Sequence, residues 1–276
     1  MDTPPSLVLN NDVALPQVGF GVWQVPADDT ARVALTALEA GYRSIDTAAS
    51  YGNEAGVGEA IRTSGLPRDD VFVTTKLANP DHGYDAALRA FDRSLAELRL
   101  DRLDLFLIHW PLPKRDDYVE TWRALEKLYA DGRVRAIGVS NFHPPHLRRL
   151  LAETDVVPAV NQIELHPRLP QAELREVHAG HGIVTEAWSP LAQGTLLADR
   201  TVKALAAKYG KTGAQLVLRW HLQLGTVAIP KSVTPSRIRE NLEVFDFELA
   251  EDDMTALGEL DDGTRTGPDP DTFDPD

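Results

Sequence analysis

The sequence predicts a single (β/α)8 TIM barrel of the α/β class, and three observations carry that expectation. Eight short segments rich in aliphatic and β-branched residues alternate with helical patterns along the 276 residues. The segment LDLFLIHW, 103–110, is almost wholly apolar on both faces, as a parallel strand covered on both sides should be. Finally, Asp46, Lys76 and His109 each close one of these segments. The C-terminal ends of barrel strands are where such folds assemble their sites.

Taken in order, the chain opens on SLVLN-ND-VALPQ, two strand patterns around Asn10, Asn11 and Asp12, which predict an N-terminal β-hairpin. Barrel strands are expected at 18–20, 43–46, 71–76, 103–109, 134–139, 159–164, 184–188 and 226–229. Between them, Leu88, Phe91, Leu95 and Leu98 recur at helical spacing in 84–98, and Trp122, Leu125 and Leu128 do so in 118–130. The stretch from 188 to 226 has room for an extra helix, 202–209, before the regular one, 214–223. Gly210 reads as the C-cap of the first and Thr212 as the N-cap of the second. Composition nowhere shifts, so 1–276 reads as one domain. The Asp/Pro/Gly-rich end, 261–276, reads as a flexible tail; it either dangles or forms a C-terminal loop over the active face, and the sequence leaves both open.

Composition narrows the partners. A formal net charge of −14 disfavours nucleic acid and anionic lipid. No apolar run approaches the roughly 18–20 residues of a membrane span. Cysteine is absent, which removes disulfides, thiolate nucleophiles and zinc knuckles. With no signal-peptide pattern in MDTPPSLVLNND, a cytoplasmic location is expected. His143/His146 and His178/His181 have metal-like spacing but lack further ligands or an HExxH pattern; they are expected to be capping or solvent-facing, with no metal site.

The four polar residues at the rim form a chemically coherent set. A phenol has a pKa of about 10 and is a poor acid near neutrality. A neighbouring ammonium stabilises the phenolate, and a carboxylate keeps that ammonium charged and oriented. Tyr51, Lys76 and Asp46 are those three types, and a neutral His109 could polarise a carbonyl oxygen. None of them supplies a hydride, so reduction of a carbonyl at this rim implies a nicotinamide cofactor.

The Rossmann fingerprint is missing, because Gly19 and Gly21 are followed by Gln24 where a third glycine is needed. After the last strand, Lys231, Ser232, Thr234 and Arg237 gather two cations and two hydroxyls at a helix start, a phosphate site in an acidic chain. Ser140, Asn141 and Gln162 bring hydroxyl and amide groups suited to a carboxamide, and Trp188 offers a stacking face. Trp23 and Trp110 would wall an apolar cleft.

The runs GYRSIDTAASYGNE, TTKL, LIHWP, GVSNF, NQIELHP, AWSPLAQG and IPKSVTPSRIRENLEVFDFEL, in this order between Leu15 and Leu260, resemble the aldo-keto reductases. Within that family they look most like the prokaryotic 2,5-diketo-D-gluconate reductase branch. The resemblance implies NADPH-dependent reduction of aldehydes or ketones, with Tyr51 as general acid, Asp46 and Lys76 tuning it, and His109 orienting a small-molecule carbonyl. It implies that Ser140, Asn141, Gln162 and Trp188 hold the nicotinamide, with Gly21 and Val22 beside the cofactor. Ser189, Leu191 and Gly194 would border the pyrophosphate. Lys231, Ser232, Val233, Thr234 and Arg237 would grip the 2′-phosphate, with Glu240 and Asn241 at the adenine. Trp188 stands where Tyr is commoner, and Ala78 where many relatives carry Trp, which predicts a wider substrate pocket beside Trp23, His109 and Trp110. A monomer is expected by analogy. Two other readings compete: a nicotinamide-binding redox sensor serving as a regulatory subunit, and a lyase or isomerase using Lys76 as a Schiff base.

Overall fold

The computed structural model describes residues 4–274. Two short strands, β1 (Ser6–Val8) and β2 (Ala14–Pro16), pair antiparallel with Ser6 opposite Pro16, the expected hairpin. Eight parallel strands follow: β3 (Phe20–Gly21), β4 (Ser44–Asp46), β5 (Phe72–Leu77), β6 (Leu103–Ile108), β7 (Val134–Ser140), β8 (Val160–Glu164), β9 (Val184–Trp188) and β10 (Val227–Ala228). They lie side by side in chain order. The sheet closes on itself where Val18 bridges Ala228, with Gly19 N donating to Ala228 O at 2.9 Å and Gly21 N to Pro230 O at 3.2 Å. The result is a (β/α)8 barrel.

The helices expected at 84–98 and 118–130 are present as Tyr84–Leu98 and Tyr118–Ala130. Their apolar residues face the barrel wall: Phe91 meets Phe106 of β6 edge to face at 5.1 Å, and Trp122 is fully buried. Burying each side chain of this size contributes roughly 1.5–3 kcal/mol. The extra helix, Arg200–Tyr209, ends at Gly210 in the left-handed region (φ 62°). The next, Gly213–Gln223, is capped by Thr212, whose Oγ1 accepts from Gln215 N at 3.3 Å. One helix contact admits only glycine: a Cβ on Gly58, in the helix Glu54–Thr63, would stand 2.0 Å from Leu98 O.

The hairpin is a floor. Asn10 Nδ2 donates to Pro158 O (3.1 Å) and Asn11 Nδ2 to Arg135 O (2.9 Å), groups at the N-terminal ends of β8 and β7. Leu9 and Leu15 join Phe72, Leu105, Leu107, Val160 and Val227 in an apolar plug. The open end of the barrel is therefore the C-terminal one, where the polar side chains stand. After residue 261 the chain crosses that end, as the second reading of the tail anticipates. Among the described residues, no helix is long and apolar enough to cross a membrane.

Candidate active site

Lys76 is the centre of the rim. It sits on β5 with its side chain fully buried, and its Nζ donates to Asp46 Oδ1 at 2.6 Å, to Thr47 O at 2.9 Å and to Tyr51 Oη at 3.4 Å. Burial alone disfavours the ammonium. The opposing charge and hydrogen bond of Asp46, with Tyr51, hold its pKa above the ordinary lysine value. For Tyr51 the largest influence is burial, which raises the phenol's pKa; the Lys76 charge pulls it back in part. Tyr51 reaches the site from the short helical turn Ala49–Tyr51, closed by Gly52. That turn hangs on Asn53, whose buried amide donates to Val22 O (3.0 Å) and Val25 O (3.2 Å) and accepts from Thr47 Oγ1 (2.8 Å).

His109 follows β6 directly and lies edge-on to Tyr51, ring centroids 5.7 Å apart. Its Nδ1 is 3.3 Å from Ser50 Oγ. Burial, followed by the Lys76 charge, pushes its pKa down to about 3, so the ring is neutral at ordinary pH. One ring nitrogen then carries a hydrogen and can donate.

A second layer of amides lies beside this group. Gln162 on β8 donates from Nε2 to Asp46 Oδ2 and to Glu186 Oε2, both at 2.8 Å. Ser140 Oγ donates to Gln162 O at 2.8 Å. The Asn141 side chain is engaged at both ends: Nδ2 donates to His109 O (2.9 Å) and Ser140 Oγ (3.1 Å), and Oδ1 accepts from Trp188 Nε1 (2.8 Å). Asn141 takes a left-handed conformation (φ 65°), which asparagine tolerates better than most residues. These bonds fix the plane of the Trp188 indole.

Beyond Trp188 the loop turns sharply, with Ser189, Ala192, Gln193 and Gly194 all at positive φ and Gly194 N bonded to Leu191 O at 2.8 Å. Gly21, which ends β3, and Val22 are buried, and Gly21 stands close enough to Ile229 O, just past β10, that a Cβ would lie 3.1 Å from it. Lys231, Val233, Thr234 and Arg237 are exposed around the start of the helix Pro235–Glu240, and Thr234 N donates to Ser232 Oγ at 3.1 Å. Neither Lys231 nor Arg237 makes an ion pair among the described residues. Asn241 is buried, and the Glu240 carboxylate accepts from Thr212 Oγ1 at 2.8 Å.

At the mouth, Trp23 is exposed after β3, Trp110 follows His109 beyond β6, and the small Ala78 follows β5. The terminal segment covers part of the mouth. Thr266 N and Oγ1 both donate to Glu164 Oε1 at 2.5 Å, and Gly267 N donates to Glu164 Oε2 at 3.1 Å. Burial opposes the Glu164 carboxylate, but its bonds to His166, Thr266 and Gly267 hold its pKa below the usual range. Gly267 touches the Trp188 ring so closely that a Cβ would lie 2.5 Å from Cη2. Farther on, Phe273 lies against Trp110, centroids 4.3 Å apart, and Asp271 pairs with His143 Nδ1 at 2.9 Å.

The histidine pairs divide. His143 and His146 sit at the start of the helix Pro144–Glu153, where His143 N donates to His146 Nδ1 at 3.1 Å, a capping role as expected. His143, Asp269 and Asp271 bring ligand-type atoms within 4.8 Å of one another. Arg265 faces His143 Nε2 at 3.1 Å, which places the His143 proton on Nδ1 toward Asp271. The expectation that His178 caps a helix or faces solvent is corrected: it is fully buried, bridging Asn161 Nδ2 (2.9 Å) and Thr185 Oγ1 (2.8 Å). Its spacing to His181 carried no sign of that packing.

Glu186, Glu164 and Asn53 escape the sequence reading. The available signal was strand alternation, which puts Glu186 on the face of Trp188 and Glu164 on the face of Gln162.

The eight-fold barrel thus gathers a tyrosine, a buried lysine–aspartate pair and a neutral histidine at one end, groups of the types that move protons in enzymes. Comparison with known proteins narrows the class. The profile of the Aldo/keto reductase family matches residues 17–262. An aldo-keto reductase of Mycolicibacterium smegmatis is 58% identical over 98% of each chain. The methylglyoxal reductase DkgA of Escherichia coli is 49% identical over 99% of each. The NADPH complex of a Gox0644 mutant superposes with a TM-score of 0.95 at 48% identity, covering 99% of both chains. The chain belongs to the aldo/keto reductase family.

Proposed function

We propose that the protein reduces small aldehydes and ketones with NADPH, Tyr51 delivering the proton. The carrying observation is the Lys76 ammonium, which touches both Asp46 and the Tyr51 oxygen from a fully buried position. Because Tyr51 Oη accepts from Lys76, its own hydrogen is free for a substrate oxygen. His109, neutral and beside Tyr51, donates to that same oxygen and fixes its approach. As negative charge passes to the phenolate, Lys76 is already in place to stabilise it and needs no reorganisation.

The residues present fit a phosphorylated nicotinamide cofactor. Lys231 and Arg237 are exposed cations in a chain of net charge −14, and Ser232 and Thr234 add hydroxyls at a helix start. They would hold the 2′-phosphate, while Gln162, Ser140, Asn141 and Trp188 would hold the nicotinamide; Ser189, Leu191 and Gly194 suit the pyrophosphate. When bound, the cofactor supplies a hydride to the carbonyl carbon. The likeness to methylglyoxal reductases supports methylglyoxal as a substrate of this protein, and the small Ala78 supports sugar-derived diketones as well.

The test follows NADPH oxidation with methylglyoxal and 2,5-diketo-D-gluconate, with NADH in parallel. Turnover is expected with at least one of them. Arg237→Ala should weaken NADPH by about tenfold or more while leaving NADH unchanged, since one charge-assisted phosphate contact is lost. Equal losses with both cofactors would move the phosphate site elsewhere.

A further inference from the structure

Gln162 stands between two carboxyls, and its bonds decide which end of its amide is which. The nitrogen carries two hydrogens. One goes to Asp46 Oδ2 and the other to Glu186 Oε2, both at 2.8 Å, and all three residues are buried. The reversed amide would turn its oxygen toward two carboxyl oxygens, a repulsion that low-dielectric surroundings strengthen. Gln162 Oε1 is thereby left as an acceptor with no donor among the described residues.

Asp46 has an evident second task in holding Lys76. Glu186 has none: among the described residues Oε2 bonds only to Gln162, and Oε1 has no partner although it is buried. A buried carboxyl with one oxygen unsatisfied is costly, and nothing about the fold of β9 demands it. Burial above all, then the Asp46 charge, pushes its pKa up to about 7, against the Gln162 bond and Lys76. Those two ionisable groups face it from β4 and β5; β8 presents neutral Gln162, and β10 pairs with it through Val227. Protonated or ionised, Glu186 keeps an oxygen that accepts the amide N–H.

We propose that Glu186 is a positioning residue that sets the polarity of Gln162, so that the site presents an acceptor and selects a nicotinamide carboxamide over a nicotinate carboxylate. This rests on the NADPH reading above. The carboxamide has N–H groups to give to Gln162 Oε1; a carboxylate has none and is repelled.

The experiment measures dissociation constants by tryptophan fluorescence for NADP+, its nicotinic acid analogue and adenosine 2′,5′-bisphosphate, on the wild type, Glu186→Gln and Glu186→Leu. The wild type should favour NADP+ over the acid analogue by about tenfold or more, the worth of a matched against a mismatched polar contact. Glu186→Leu leaves Asp46 as the amide's one carboxyl partner and should lower that ratio by about threefold or more without changing the affinity for the bisphosphate. Glu186→Gln, whose side-chain carbonyl can accept the same bond, should keep the ratio. An unchanged ratio in Glu186→Leu, or its equal loss in both variants, overturns the assignment. If the leucine variant does not fold, Glu186→Met takes its place under the same criteria. A wild type that binds NADP+ no more tightly than the bisphosphate would overturn the nicotinamide pocket itself, and that outcome is visible before any variant is made.

Discussion

The hydrogen of the Tyr51 hydroxyl has no acceptor among the described residues. Lys76 gives its own hydrogens to Asp46, Thr47 and Tyr51, so the phenol can only donate outward. Tyr51→Phe removes that proton and little else. Carbonyl reduction should fall at least about a hundredfold, the usual worth of a positioned general acid, while NADPH affinity changes less than twofold. A variant that keeps a tenth of the activity would assign the proton to another group. This residue was legible in the sequence because it stands just past a strand that ends in Asp46, with Lys76 and His109 closing later strands. Glu186 and Glu164 were not. In a chain with 42 acidic residues a lone glutamate inside an apolar strand carries no mark, and only barrel closure brings Glu186 beside Asp46.

Two elements can be tested as elements. The helix Glu54–Thr63 approaches the end of Tyr84–Leu98 through Gly58, and Gly58→Ala would force its new methyl into Leu98 O. Overpacking of this kind costs about 1–3 kcal/mol, so the melting temperature should fall by several degrees. An unchanged melt would mean the helices can part without loss. The terminal segment hangs chiefly on the Glu164 carboxylate, which takes three bonds from Thr266 and Gly267. Glu164→Gln keeps the shape but loses the charge, and hydrogen bonds to a charged group are worth about 1.5–3 kcal/mol. Trypsin should then cut after Arg265 about tenfold faster; equal rates would place the anchor elsewhere. Helix periodicity made the elements 84–98 and 118–130 legible to the residue. The path of the segment after 261 was not, because its Asp, Pro and Gly residues describe a chain without a fold of its own, and its partners lie a hundred residues away.

For the molecule as a whole, three neutral histidines govern acid stability. His109, His178 and His221 are each pushed down to about 3, in each case chiefly by burial, from an ordinary value of 6.5. Between those limits the unfolded chain binds three protons that the folded one refuses. Glu186 works the other way: raised from 4.5 to about 7, it holds one proton in the fold that the unfolded chain releases. Over these four groups the balance near pH 5 is about two protons taken up on unfolding, a fall in stability of roughly 3 kcal/mol per pH unit as the solution is acidified through that range. Urea midpoints measured at pH 7.5 and pH 5 test this, and coincident midpoints would refute it. The barrel itself was legible from eight alternating segments, since parallel strands covered on both faces leave a continuous apolar signature. The hairpin across the barrel floor and the segment laced over its mouth mark opposite poles of the molecule. Anything attached near Ser6 is held away from traffic through the mouth, whereas anything attached at Asp274 stands beside Lys114, near Trp110. Tethered to a bead by its first strand, the enzyme would turn its mouth to the solution; tethered at Asp274, it would turn it to the bead.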